Sequence, residues 1–261
     1  MTPELILSHW DQGTLWPGHC GYDLATGYER ALSVRELRIA RGERPAGYKV
    51  GFTNRNIWPR YNVFAPVWGA MWDTTVTYCE GKGEVSLACT SQPRIEPEAV
   101  FGIARTPPAE PSLGELLACI EWVAPGFEIV QSHLPDWVFD AADTAADGAL
   151  HARLLVGRRV PAASLPRAAG QFDSQLAHAQ VVLSRGEQEV DRGRGANVLD
   201  GPLHALAHFL AALRSFPGAT DLQPGDVVTT GTWTDAWPVA AGQSWTARFE
   251  APLTALSVNF T

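Results

Sequence analysis

Arg94-Ile95-Glu96-Pro97-Glu98-Ala99-Val100-Phe101 is the stretch whose reading decides the fold of this chain. In an extended strand residues i and i+2 leave the same face, so Glu96 and Glu98 converge on one point while Pro97 turns away, a placement that suits a strand edge or start. A second segment, Gly126-Phe127-Glu128-Ile129-Val130, offers one more carboxylate from a neighbouring strand. Three glutamates so placed form a hard-cation site. Oxygen ligands suit Mg²⁺ or Mn²⁺ better than zinc, and such ions keep waters that a substrate can replace. For an ExE pair taken alone, the competing reading is two solvated carboxylates.

The chain has 261 residues, 46% hydrophobic and 18% charged, which is enough apolar material for a large core in one unit. Its formal charge of −8 argues against nucleic-acid backbones and anionic membrane surfaces as partners. No apolar run reaches membrane-spanning length and the N-terminus lacks a basic-then-apolar signal, so a cytoplasmic protein is expected. Cys20, Cys79, Cys89 and Cys119 show no CxxC spacing and are expected to be reduced and packed.

Ser112-Leu113-Gly114-Glu115 is a capping-box pattern, and Leu113, Leu116, Leu117 and Ile120 recur at helical spacing toward the Glu128 strand. A second helix follows Asp200 as N-cap, with Leu203, Leu206, Leu210 and Leu213 on one face. Its His204 and His208 are i,i+4 neighbours that read as a half-buried polar edge. A third helix covers Leu24 to Arg41. Short runs rich in Val, Ile, Phe and Trp read as strands: 47–53, 99–103, 127–130, 150–156, 226–231, 245–250 and 256–260.

Five motifs in this order carry a resemblance: Gly47-Tyr48-Lys49-Val50-Gly51-Phe52-Thr53, Ile95-Glu96-Pro97-Glu98, Glu128-Ile129-Val130-Gln131-Ser132, Asp136-Trp137 with Asp143-Thr144-Ala145-Ala146-Asp147, and Gly225-Asp226-Val227-Val228-Thr229-Thr230-Gly231. Together they resemble the fumarylacetoacetate hydrolase superfamily, in its 2-oxopent-4-enoate hydratase and 4-oxalocrotonate decarboxylase branch. The resemblance runs from about Asp23 to Phe260. It implies an α+β fold, a mixed β-roll with flanking helices, over residues 1–261 as a single catalytic domain whose N-terminal helical segment, about 1–45, packs on the roll. It also implies a homo-oligomer and a small-molecule 2-oxo acid substrate, handled through an enolate chelated by Mg²⁺ or Mn²⁺. Glu96, Glu98 and Glu128 are then the metal ligands, Lys49 a catalytic acid, base or charge anchor, and Thr230, Gly231 and Arg94 substrate-binding residues.

Departures from the branch pattern bear on the reaction. An acidic residue is usual between the proline and the aromatic-Gly pair in the segment that here reads Ala65-Pro66-Val67-Trp68-Gly69, and Val67 cannot transfer protons. Asp73 is a candidate replacement. Where the branch usually has Asn, a small residue and Ser, this chain has Gly148-Ala149-Leu150-His151, which makes His151 a candidate second acid/base group. Gln131 and His133 also stand where the branch carries other residues. The expected activity is a hydratase-type lyase on a 2-hydroxydienoate or 2-oxoalkenoate of aromatic-compound degradation. The alternatives are a carbon-carbon hydrolase of an acylpyruvate such as maleylpyruvate or fumarylpyruvate, a decarboxylase, and a non-catalytic homologue that only binds a chelated oxo acid.

Overall fold

The computed structural model describes residues 1–61 and 63–261, apart from the side chain of residue 60. Its helices are α1 (Pro3–Gln12), α2 (Leu24–Ala40), α3 (Trp58–Tyr61), α4 (Leu113–Leu117), α5 (Ala141–Ala146), α6 (Ala169–His178) and α7 (Pro202–Ser215). Its strands are β1 (Pro45–Gly51), β2 (Val67–Trp72), β3 (Val76–Tyr78), β4 (Lys82–Val85), β5 (Arg94–Ile103), β6 (Ile120–Val130), β7 (His151–Val156), β8 (Val160–Pro161), β9 (Gln180–Arg185), β10 (Gln188–Arg194), β11 (Val227–Thr232), β12 (Trp237–Pro238), β13 (Ser244–Phe249) and β14 (Leu256–Phe260).

The larger sheet runs β2-β1-β11-β5-β6-β7-β3, with β12 added to β5 and β8 to β6, and the smaller runs β10-β9-β13-β14-β4. Both are mixed: β1 with β11, β3 with β7 and β14 with β4 pair in parallel, and the other ladders are antiparallel. The result is the α+β roll with flanking helices. α7 buries Leu203, Leu206, Phe209, Leu210 and Leu213, the apolar stripe that its spacing predicts. The N-terminal segment is tied to the strands behind the glutamates, since Trp10 Nε1 donates to His151 O at 3.3 Å and the Trp16 N–H to His133 O at 2.6 Å.

Pro97 does not lie at a strand edge. β5 sits between β11 and β6, and Pro97 pairs with Phe127 inside that ladder. A residue's N–H and C=O leave a strand on the same side. Because Pro97 O accepts the Trp233 N–H at 3.0 Å, its missing donor faces the β11 side. There β11 is irregular: Thr229 pairs with Val100 but Thr232 with Glu98, so β11 carries an extra residue. A bulge is where a sheet interior tolerates proline.

Several boundaries move, and β1 covers Pro45–Gly51 rather than 47–53. β5 begins at Arg94 rather than Ala99, because the glutamates themselves belong to the ladder. α4 stops at Leu117 and Ile120 opens β6, where it pairs with Ile103. α7 is capped by Gly201 with Pro202 at its start, while Asp200 turns outward to Arg55 at 2.7 Å and Asp173 Oδ1 accepts the Leu203 N–H. His204 faces Asp173 Oδ2 at 3.4 Å. The four cysteines are unpaired, but Cys89 is exposed rather than packed. Among the described residues no helix is long and apolar enough to cross a membrane.

Candidate metal centre and active-site cleft

Adjacent strands β1, β11, β5 and β6 build the floor of one cleft. Glu96 stands opposite Glu128 in the β5–β6 ladder, and Glu98 leaves β5 on the same face as Glu96. One ligand oxygen from each of the three carboxylates lies within 4.8 Å of the others. Glu98 and Glu128 are completely buried, while Glu96 lines the cleft.

Each buried carboxylate has one oxygen held by short hydrogen bonds and one that is not. The β11 bulge aims the Thr230 and Gly231 N–H groups at Glu98 Oε2, at 3.0 and 2.6 Å, while Oε1 accepts no hydrogen bond. Gly231 has φ 97°, and a Cβ there would lie 1.8 Å from Thr53 Oγ1, so only glycine delivers that second N–H. Glu128 Oε1 meets His151 Nδ1 at 3.0 Å. Its Oε2 accepts no hydrogen bond, although Lys49 Nζ lies 3.4 Å away. A buried carboxylate oxygen without a donor is costly, and a hard divalent cation supplies the missing partner.

The second acidic grouping, His19 with Asp140 and Asp143, differs in this respect. Asp143 Oδ2 is taken by His19 Nδ1 at 2.6 Å and Oδ1 by the Cys20 N–H at 3.0 Å. That carboxylate is occupied with tying the N-terminal segment to α5.

Charge in the cluster follows from burial. Burial pushes the Glu98 carboxyl well above its ordinary range, and the charges of Glu128 and Glu96 push it further. Glu128 is raised to about 8 by burial, against the pull of Lys49. Glu96 is raised by burial, partly offset by Lys49 and Arg94. Burial alone would lower the Lys49 ammonium, but Glu128, Glu96 and Glu98 outweigh it and the net shift is upward.

No protein-family model matches the chain. It is 32% identical over 251 residues to the 2-hydroxyhexa-2,4-dienoate hydratase of Comamonas testosteroni, an alignment covering 95% of this chain and 90% of that one. The chain belongs to the hydratase and decarboxylase branch of the fumarylacetoacetate hydrolase superfamily. It is also 30% identical over 235 residues to a 4-oxalocrotonate decarboxylase of a Pseudomonas species, covering 89% and 86% of the two chains. Its fold superposes on the 4-oxalocrotonate decarboxylase of Pseudomonas putida G7, solved with magnesium and adipate, with a TM-score of 0.87 at 25% identity over 99% of this chain and 95% of that one.

The structure distributes the other expected site residues of this branch member unevenly. Lys49 lies on the cleft floor against Glu128. Arg94 lines the cleft beside Glu96, its guanidinium 4.1 Å over the Trp137 ring. Gly231 lines the cleft, whereas Thr230 is wholly buried, with its hydroxyl donating to Ala99 O at 2.9 Å. Asp73 is not brought to the site: it caps the turn after β2, accepting from Arg44 Nε at 2.9 Å and from the Arg44 N–H at 3.0 Å. His151 is buried behind Glu128 and does not line the cleft, with Nδ1 on Glu128 and Nε2 on Thr75 Oγ1 at 2.9 Å. Burial, then the charges of Lys49, Arg38 and Arg153, push its pKa well below the ordinary histidine value, so the imidazole is neutral. Once a bound cation ionises Glu128, the neutral ring would carry its proton on Nδ1 and so fix and orient Glu128.

His133 and Asp147 make a second buried pair, Nδ1 to Oδ1 at 2.6 Å, which anchors the turn leading to His151. The mouth of the cleft was not assigned from sequence. Phe52, Tyr61, Phe139 and Trp137 are linked ring to ring, with centroids 5.0, 5.4 and 6.0 Å apart in that order, and all four line the cleft. Asp191, Arg192, Thr234 and Asp235 are part of the polar lining, with Asn54 and Asn197. Two of the motifs reach the mouth, through Phe52 after Lys49 and through Asp136-Trp137, whose Trp137 Nε1 donates to Gln92 O at 3.0 Å.

Proposed function

We propose that residues 1–261 act as one catalytic unit, a divalent-metal-dependent hydratase that adds water to a small 2-hydroxydienoate or 2-oxoalkenoate of aromatic-compound degradation. The observation that carries this reading is the carboxylate trio itself, whose ligand oxygens lie within 4.8 Å of one another, with Glu98 Oε1 buried without a donor and Glu96 opening to the cleft beside Lys49. The Mg²⁺ and Mn²⁺ chemistry expected there is Lewis-acid polarisation of a 2-oxo group and its neighbouring carboxylate. Glu96, Glu98 and Glu128 would hold that ion.

The remaining work falls to the chain's own side chains. Hydration needs a proton placed on one carbon and water delivered to another. Lys49 faces the cleft with a transferable proton and lies against Glu128, and Arg94 beside Glu96 is placed for the carboxylate of the oxo acid. Cleavage of an acylpyruvate would need a base to activate water against a carbonyl. His151, the candidate for that role, has both ring nitrogens engaged behind Glu128. That favours the hydratase over the hydrolase. The decarboxylase is the second reading, favoured by the 0.87 TM-score to a 4-oxalocrotonate decarboxylase.

Incubating the protein with Mg²⁺ or Mn²⁺ and 2-hydroxypenta-2,4-dienoate, and following loss of dienol absorbance, tests the reading. Loss that stops with a chelator and returns with metal is expected. Carbon dioxide release from an oxo diacid, with no hydration of any dienoate, would replace the hydratase by the decarboxylase. The working form is expected to be a cytoplasmic homo-oligomer, which light scattering checks.

A further inference from the structure

We infer that the cleft selects an oxo acid whose far end is an apolar chain longer than a vinyl group, read by the Phe52–Tyr61–Phe139–Trp137 band together with Leu150. This rests on the hydratase reading for the head of the substrate and adds the chemistry of its tail.

The first support is the strained turn that presents Leu150. Gly148, Ala149 and Leu150 have φ of 61°, 55° and 66°, three successive residues in the left-handed region. Each non-glycine residue there costs about 1–2 kcal/mol. A bulky apolar side chain is an outlier in that conformation, yet Leu150 lines the cleft, with its carbonyl pinned by the Gln131 N–H at 2.8 Å. The isobutyl group is thus fixed as part of the apolar lining.

The second is charge. Every described basic residue lining the cleft already has an acidic neighbour. Lys49 faces Glu128 at 3.4 Å, Arg94 lies beside Glu96, and Arg192 makes two bonds to Glu189 at 2.5 and 2.6 Å. Asp191 and Asp235 add negative charge to the same lining, with Asp191 Oδ2 accepting the Asp235 N–H at 3.0 Å. With Arg94 placed for the head carboxylate, the remaining guanidinium in the lining, Arg192, is compensated by Glu189, and a second carboxylate would meet the like charge of Asp191 and Asp235.

Space is the third. The cleft measures about 370 Å³. The eight non-hydrogen atoms of 2-hydroxypentadienoate, given even the ~30 Å³ that each water claims in the liquid, occupy about 240 Å³.

The test uses metal-loaded protein and a ligand series read by calorimetry as well as turnover. Affinity should tighten by about fourfold per methylene from 2-oxopentanoate through 2-oxohexanoate to 2-oxooctanoate, and 2-oxoadipate should bind at least tenfold more weakly than 2-oxohexanoate. The kcat/KM for hydration should rise in parallel from 2-hydroxypenta-2,4-dienoate to its longer alkyl homologues. In Phe139→Ala, and separately in Leu150→Ala, the ratio of long-chain to short-chain affinity should fall toward one. A flat series in the wild-type protein, or tighter binding of 2-oxoadipate, overturns the inference whether or not hydration is seen. Absence of hydration with the chain-length slope intact would remove the hydratase and leave the tail preference standing.

Discussion

The floor and the mouth of the cleft are built on different terms. The floor rests on four neighbouring strands, and its side chains are held by ladder register: Glu96 opposite Glu128, Glu98 clamped by two N–H groups of a bulge, Lys49 on the adjoining strand. The mouth is assembled outside the strands, where Phe52 and Tyr61 meet Trp137 and Phe139, and the Tyr61–Phe139 contact joins two segments far apart in sequence. The floor carries buried charge that needs a partner. The mouth carries rings that need only apolar contact. On the proposed function, charge chemistry falls to the first and choice of substrate to the second, so substitutions in the two regions should fail differently.

The largest effect is expected at Glu98. In Glu98→Gln the amide carbonyl can keep the Thr230 and Gly231 N–H groups, which turns an NH₂ toward the cation position. Metal affinity and turnover should fall together, turnover by about 10³-fold, since metal polarisation contributes several kcal/mol. Calorimetric titration with Mn²⁺ alongside kinetics checks this. Unchanged metal affinity would break the assignment of the floor.

Lys49→Met comes next. Loss of a proton donor costs about 10² or more in kcat. Metal affinity should stay within about tenfold, because the three carboxylates remain. Near-normal turnover would place Lys49 outside the chemistry and leave the floor purely a binding site.

How far these regions were legible in the sequence follows from the same difference. The i,i+2 spacing of Glu96 and Glu98 is local, and strand geometry converts it directly into a shared face. The depth of Pro97 was misjudged because the bulge that accommodates it lies on β11, more than a hundred residues away in sequence. Asp73 and His151 were named to replace the acid missing at Val67, but proximity along the chain does not say which way a side chain faces. Asp73 faces Arg44 at a surface turn, and His151 starts β7 on the far side of Glu128. The aromatic mouth has no local period at all. Only Phe52 and Trp137 fall inside motifs, and neither motif points to a ring band.

His151 sharpens the comparison at the next level of effect. As a group that orients Glu128, it should matter for metal affinity, and loss of such a support typically costs 10–100-fold. In His151→Ala, metal affinity should drop by that factor and kcat should recover at saturating Mn²⁺. His151→Gln, which retains a donor for Glu128, should restore part of the affinity. A kcat that stays depressed at saturating metal would return His151 to the chemistry as an acid or base.

The smallest effect concerns pH and stability of the metal-free protein. Glu128 is raised from an ordinary value of 4.5 to about 8 by burial, and Glu98 is raised as well. Below pH 4.5 the Glu128 carboxyl is protonated both folded and unfolded, so its burial carries no charge penalty. Between 4.5 and about 8 the unfolded chain gives up the proton while the folded chain keeps it, and stability declines as pH rises. Above that window the carboxylate is ionised in both states and the loss is complete. With the metal removed by a chelator, the melting temperature should fall by roughly 10–20 °C across this window relative to Glu128→Gln, at about 2–4 °C per kcal/mol for a chain of this size class. Bound Mn²⁺ should reverse the trend, because it binds the ionised carboxylates and its affinity therefore rises with pH. Phe139→Ala should keep the wild-type slope, since the rings at the mouth do not titrate. A slope that moved with Phe139 and not with Glu128 would show that the two ends of the cleft are not energetically separate.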